Sequence, residues 1–119
     1  MEVYIGRLYD EAPAGALRVL VDRLWPRGVR KEGAPWDVWL KDVTPSDGLR
    51  RWYHAHPEGV EEFRRQYLAE LDTGEGAAAL GRLAELGRTR ALALLTSRRD
   101  VATSHVPILR DALLARERG

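Results

Sequence analysis

Two short, largely apolar runs, residues 17–21 and 91–95, constrain the fold most strongly, because each ends abruptly in polar and charged side chains. An apolar run of about five residues bounded by polar ones suits a buried strand better than a helix, which needs about ten residues or more. The stretch between the two runs carries helical patterns, and strands joined by helices pair in parallel through a right-handed crossover. The sequence therefore predicts a parallel sheet that contains both runs.

The predicted fold class is α/β. We expect a single small domain over residues 1–119, with a three- to four-stranded, mainly parallel sheet flanked by helices on both faces. Val3 and Ile5 alternate with other residues and mark a further short strand near the N-terminus. The segment that follows contains Pro13 and Gly15, which is typical of a loop.

Apolar residues recur at helical spacing along much of the remaining chain. A first helix is predicted from Pro35, with four apolar residues on one face: Trp36, Trp39, Leu40 and Val43. Thr44 begins a capping-box pattern that predicts a second helix. Apolar stripes predict three more helices, around residues 57–71, 77–86 and 105–113.

Composition excludes several kinds of site. The chain has no cysteine, so disulfides, thiolate metal ligands and cysteine nucleophiles are excluded. His54 and His56 lie two residues apart on a predicted helix and face different sides, so no metal site is expected. No cofactor is expected either. The formal net charge of +1 weighs against a dedicated nucleic-acid binder, for which a strongly basic balance is typical.

The N-terminus carries no secretory signal pattern, and no apolar run approaches the roughly 20 residues that a membrane span needs. We therefore expect a soluble, cytoplasmic protein without a membrane partner. The sequence does not determine the oligomeric state, because Trp36 and Trp39 can pack either within the chain or between subunits.

Charged side chains follow both apolar runs and form the candidate site. In a parallel sheet, ligands bind outside the carboxyl ends of the strands. A buried charge also needs a partner, because an unpaired one is very costly. Six residues therefore form either an internal ion-pair network or a site for a small anion such as a nucleotide or sugar phosphate: Asp22, Arg23 and Arg27 after the first run, and Arg99, Asp100 and His105 after the second.

Asp22 and His105 each have two competing interpretations. In a binding site, Arg23 and Arg27 would hold the anion, and Asp22 would orient an arginine. If the protein is instead a phosphate-ester or nucleotide-related enzyme, His105 would be the catalytic residue that moves a proton. Alternatively, Asp22 forms a structural ion pair with Arg23, Arg27 or Arg7, and His105 caps its helix or packs beneath the loop.

A second class of function is a nucleic-acid or protein interaction adaptor, with the charged cluster purely structural. Its footprint would mix basic and aromatic residues: Arg27, Arg30, Lys31, Arg50 and Arg51 with Trp25 and Trp52. Binding of nucleic acid by such a surface would weaken steeply with salt.

Three segments of the chain resemble a known family. Residues 21–32 read VDRLWPRGVRKE, residues 94–109 read LLTSRRDVATSHVPIL, and residues 39–71 form the third segment. Together they resemble the domain of unknown function numbered 488, in its short YeaO-like branch, over essentially the whole chain. The resemblance implies a small cytoplasmic α/β protein from a family without an established biochemical activity.

The resemblance also bears on the strands and on the site. Residues 9–16 stand where longer relatives carry a helix between the first two strands, which leaves a hairpin open, although the resemblance favours parallel strands. Family members usually carry Asn-His or Cys-His where Ser104 and His105 stand here. Ser104 departs from that pattern, which weighs against a thiol mechanism and leaves His105 as the favoured group.

Overall fold

The sheet lies at the centre of the structure, a computed structural model that describes residues 1–118. These residues form four strands: β1 (Val3–Arg7), β2 (Leu17–Leu20), β3 (Val38–Trp39) and β4 (Leu92–Thr96). They also form four α-helices: α1 (Asp47–Ala55), α2 (Val60–Glu70), α3 (Gly74–Leu86) and α4 (Val106–Arg118). The strand order is β1-β4-β2-β3 and every pair is parallel, which confirms the predicted α/β fold.

β4 occupies an inner position in the sheet, and all five of its residues are buried. β1 and β2 pair with it on opposite sides, so that Val3 and Leu17 both lie opposite Leu92. Because β4 separates β1 from β2, these two strands do not form a hairpin. They run parallel, as the family resemblance favours.

One face of the sheet packs against the helices. Val19 and Leu94 are fully buried there, in the same hydrophobic cluster as Leu83 of α3 and Leu109 of α4. This cluster contains most of the buried apolar residues, and burying each leucine-sized side chain contributes about 1.5–3 kcal/mol. Tyr67 of α2 is also fully buried, and its hydroxyl donates a hydrogen bond to the carbonyl of Val43.

The other face of the sheet is covered by loops, whereas helices are predicted on both faces. Leu20 and Leu95 pack there against Leu8 and Trp36, and none of the described helices contributes to this cluster. The segment between β2 and β3 is rich in glycine and proline, which disfavour a helix. Tryptophan side chains cover the face instead, because each buries a large apolar area.

The helix predicted from Pro35 is wrong. This stretch contains β3 and a 3₁₀ helix, Lys41–Val43. The backbone N–H of Leu40 donates to the carbonyl of Leu20 over 3.0 Å, so pairing with β2 replaces helical hydrogen bonding. The helical spacing is misleading because Trp36 packs on the face of the sheet that loops cover, whereas Leu40 packs on the face that the helices cover.

The start of α1 is fixed by Ser46 and not by Thr44, the predicted cap. The Ser46 hydroxyl accepts a hydrogen bond from the Leu49 N–H over 3.2 Å, whereas the Thr44 hydroxyl donates to the carbonyl of Lys41. Ser46 also donates to the Glu70 carboxylate through both its N–H (2.8 Å) and its hydroxyl (2.6 Å). These contacts hold the first turn of α1 against the end of α2, and so position the side chains that α1 presents.

Candidate functional site

A cleft with a volume of about 950 Å³ lies at the carboxyl edge of the sheet. Asp22, which follows β2, and Ser97, which follows β4, both line it. Further lining residues come from α1, from the turn before α2 and from the segment that leads into α4. This is the edge at which parallel sheets bind ligands, because the loops after the strands converge there.

Asp22 joins the ends of β2 and β4. Its Oδ1 accepts a hydrogen bond from the Thr96 hydroxyl over 2.7 Å. Its Oδ2 accepts from both the backbone N–H and the hydroxyl of Ser97, each over 2.8 Å. The carboxylate is therefore satisfied by hydroxyl and amide donors, and it makes no ion pair with an arginine within the described residues. Asp22 thus has a structural role, but its partners differ from those that the sequence suggests.

Arg23 joins the same strand end to the start of α1. Its Nε donates to the carbonyl of Pro45 over 3.2 Å, and its Nη2 donates to that of Thr44 over 3.3 Å. Its Nε also lies 3.8 Å from the Asp47 carboxylate. Arg50 shares that carboxylate, with its Nη2 3.3 Å from Oδ1. These contacts brace one wall of the cleft.

The charge of the cleft is strongly positive. Its lining contains a single carboxylate, Asp22, and five arginines: Arg23, Arg27, Arg50, Arg51 and Arg98. The side chains of Arg27, Arg51 and Arg98 make no ion pair or hydrogen bond within the described part of the chain. All three residues are exposed, so their guanidinium groups are available to a ligand.

His105 lies at the base of the cleft and is only 8% exposed. Its Nε2 lies 2.6 Å from the carbonyl of Val21, so this nitrogen carries the proton and donates to that oxygen. Burial lowers the pKa of His105, although the Val21 carbonyl and the Asp22 carboxylate partly oppose that change. The imidazole is therefore neutral at pH 7 and adds no positive charge to the cleft.

The lowered pKa of His105 predicts a pH dependence of stability. The unfolded chain binds a proton at this histidine near pH 6.5, whereas the lowered pKa means that the folded chain binds it only at a lower pH. The free energy of unfolding therefore falls as the pH drops below 6.5, by at most about 1.4 kcal/mol per pH unit from this group. We expect His105→Gln to flatten the slope in urea unfolding between about pH 5 and pH 6.5.

The control for this experiment is His54→Gln, because His54 is exposed. That variant is expected to keep the slope of the parent protein. Equal slopes for the parent and His105→Gln would show that burial of His105 does not control this pH dependence.

The structure brings together some of the six predicted site residues and separates others. Asp22, Arg23, Arg27 and His105 line the cleft, whereas Arg99 and Asp100 are exposed and lie outside its lining. Three arginines of the cleft were not among the six: Arg50, Arg51 and Arg98. Arg98 lies two residues after the end of β4, so its position in the sequence was a usable signal. The two α1 arginines enter the site only through the packing of that helix.

Within residues 1–118, histidine, aspartate and glutamate side chains form no group of three or more that could hold a metal ion. Every helix in that range is too short or too polar to span a bilayer.

A family model described as the inactive DUF488-N3 subclade matches residues 2–118 of the chain. An uncharacterized protein of Mycobacterium tuberculosis H37Rv, Rv3073c, is 41% identical over 115 residues, covering 96% of this chain and 95% of that protein. The uncharacterized protein YeaO of Escherichia coli K12 is 40% identical over 114 residues, covering 95% of this chain and 97% of that protein. No solved structure matches the chain significantly.

Proposed function

The chain belongs to the family DUF488-N3i, the inactive DUF488-N3 subclade, and from this premise we propose that its cleft binds a small anionic ligand without converting it. The observation that carries the proposal is the charge of the cleft, which five arginines line against one carboxylate. Guanidinium groups bind phosphate and carboxylate in a bidentate geometry that lysine cannot reproduce. A phosphate-bearing metabolite is the ligand class that fits this lining.

The pairing of the arginines supports the same conclusion. A cluster that served only to stabilise the loops would consist of paired charges. Arg23 is held by two backbone carbonyls and by Asp47, which fits such a bracing role. Arg27, Arg51 and Arg98 have no such partners within the described residues, and like charges that line one cleft without counter-charges are unfavourable. An anion in the cleft would supply the counter-charge.

The absence of turnover is supported by how the reactive groups are engaged. The Ser97 hydroxyl donates to the Asp22 carboxylate, which also accepts from Thr96 and from the Ser97 N–H, and no histidine bonds this hydroxyl within the described residues. The Nε2 of His105 donates to the carbonyl of Val21, which leaves only Nδ1 to accept a proton or a hydrogen bond. Proton transfer by His105 stays a prediction from the sequence. In the binding proposal, this neutral imidazole is a hydrogen-bond acceptor at the base of the cleft.

The adaptor alternative is less well supported. Part of its footprint, Arg27, Arg50, Arg51 and Trp25, lines the cleft, but Arg30, Lys31 and Trp52 lie outside the lining. A concave site of this size suits a small ligand, for which volumes of about 300–1,000 Å³ are typical. The net charge of +1 also gives little long-range attraction for a polyanion.

Calorimetric titration with inorganic pyrophosphate tests the proposal. Three charge-assisted contacts of about 1.5–3 kcal/mol each contribute about 4.5–9 kcal/mol, which predicts a Kd between about 0.2 µM and about 0.5 mM. The affinity should fall several-fold between about 50 and about 200 mM NaCl, because the arginines are exposed and salt screens them. If pyrophosphate releases no heat and causes no spectroscopic change up to about 10 mM, the cleft is not an anion site.

A further inference from the structure

The cleft is not lined by arginine alone, because much of its lining is apolar. Leu24, Trp25 and Val60 line it with 64%, 41% and 48% of their surfaces exposed. The described residues include only two other large apolar side chains that are so exposed, Tyr4 and Tyr9. Apolar surface gathered at the mouth of a charged cleft is typical of a binding site for a ligand with an apolar part.

Trp25 is held rigidly in this wall. Its indole Nε1 donates to the carbonyl of Val29 over 2.7 Å. Its ring meets those of Trp36 and Trp39 edge to face, with centroids 4.9 and 5.5 Å apart. Trp36 is itself buried against the loop-covered face of the sheet. An aromatic ring fixed in this way loses little conformational freedom when a flat ligand stacks on it.

We propose that the cleft takes a nucleoside phosphate, with the base against Trp25 and the phosphate on the arginines. This inference rests on the proposed function and specifies its ligand class. A bare phosphate or a sugar phosphate would leave the apolar wall wet, and an aromatic molecule without a phosphate would leave the arginines without a counter-charge. A nucleotide carries both groups in one molecule, and the cleft volume of about 950 Å³ accommodates it.

The neighbouring side chains fit the two ends of such a ligand. Trp25 and Arg27 lie two residues apart on the segment after β2, and both line the cleft. Arg51 of α1 and Arg98 after β4 bring positive charge from two other elements. Bases stack readily on tryptophan, and stacking of this kind tolerates different bases. We therefore expect nucleotides to bind more tightly than ribose 5-phosphate, which has no base. Purine nucleotides are expected to benefit most, because their rings are larger.

Comparison of adenosine monophosphate with ribose 5-phosphate tests the inference, because the two differ only in the base. In competition against bound pyrophosphate, adenosine monophosphate should bind about tenfold more tightly than ribose 5-phosphate. Adenosine, which lacks the phosphate, should bind more weakly than either phosphate compound. In Trp25→Leu, the tenfold preference should fall to about twofold or less while the affinity for ribose 5-phosphate is retained.

Trp52→Leu is the matched control, because Trp52 lies outside the lining of the cleft, and it should keep the preference. Retained ribose 5-phosphate binding by Trp25→Leu also shows that this variant folds. Should that variant fail to fold, the preference of the parent protein still tests the inference. Equal binding of the two phosphates by the parent, or an unchanged preference in a folded Trp25→Leu, would overturn the nucleotide assignment and leave the anion site intact. If pyrophosphate and both phosphates fail to bind, the proposed function is itself wrong.

Discussion

Asp22→Ala is expected to lower the free energy of unfolding by about 3 kcal/mol, which corresponds to a fall in Tm of about 12 °C for a chain of this size. The Asp22 carboxylate accepts three hydrogen bonds from Thr96 and Ser97. Thr96 is fully buried, so its hydroxyl would lose a charged acceptor that water cannot readily replace. Thermal and urea unfolding both measure the effect.

Two further variants sharpen this prediction. Asp100→Ala is the matched control, because Asp100 is exposed and its carboxylate makes no hydrogen bond or ion pair within the described residues. Its Tm should stay within about 2 °C of the parent value. Asp22→Asn should fall between the two, since an amide keeps one acceptor oxygen but presents an N–H₂ group to the remaining donors. An Asp22→Ala protein as stable as Asp100→Ala would show that the hydrogen bonds of Asp22 between β2 and β4 contribute little to the free energy of unfolding.

The second large effect is on ligand binding. Simultaneous substitution of Arg27, Arg51 and Arg98 by alanine is expected to weaken pyrophosphate binding at least about 100-fold, because each substitution removes a charge-assisted contact. Stability should be retained, since these side chains are exposed and make no ion pair or hydrogen bond within the described residues. Calorimetric titration and thermal unfolding of the same sample give both values.

The matched control is the triple alanine variant of Arg7, Arg82 and Arg116. These arginines are exposed, lie outside the cleft and make no ion pair within the described residues. The control changes net charge by the same amount, so any difference from the first variant reports on position and not on charge alone. Equal losses of affinity in the two variants would mean that pyrophosphate is attracted by overall charge and has no defined site.

Much of the fold could be predicted from the sequence, because local patterns determine it. The two apolar runs are strands, they are parallel, and Asp22 lies 2.7 Å from the Thr96 hydroxyl even though 74 positions separate the two residues. What could not be predicted is the partner of each charge. Arginines beside Asp22 in the sequence suggest ion pairs, whereas two hydroxyls and one amide satisfy it in the fold.

The wrong helix from Pro35 has a related cause. Spacing of three and four residues indicates a helix only if all the apolar residues face one core. Here Trp36 and Leu40 pack on opposite faces of the sheet, and a local pattern contains no information about a second hydrophobic cluster. Arg50 and Arg51 are predicted only as part of an adaptor surface and not as residues of the anion site, because their place in the cleft depends on how α1 docks through Ser46 and Glu70.

We expect an anion to bind in the cleft at the carboxyl edge of the sheet, and an NMR titration with pyrophosphate tests this binding most directly. We expect saturable shifts of the Arg51 and Arg98 side-chain Nε–H signals and of the Ser97 amide, with little change at Arg82 and Arg116. Shifts confined to arginines outside the cleft, or no saturable shift at Arg51 and Arg98, would contradict it.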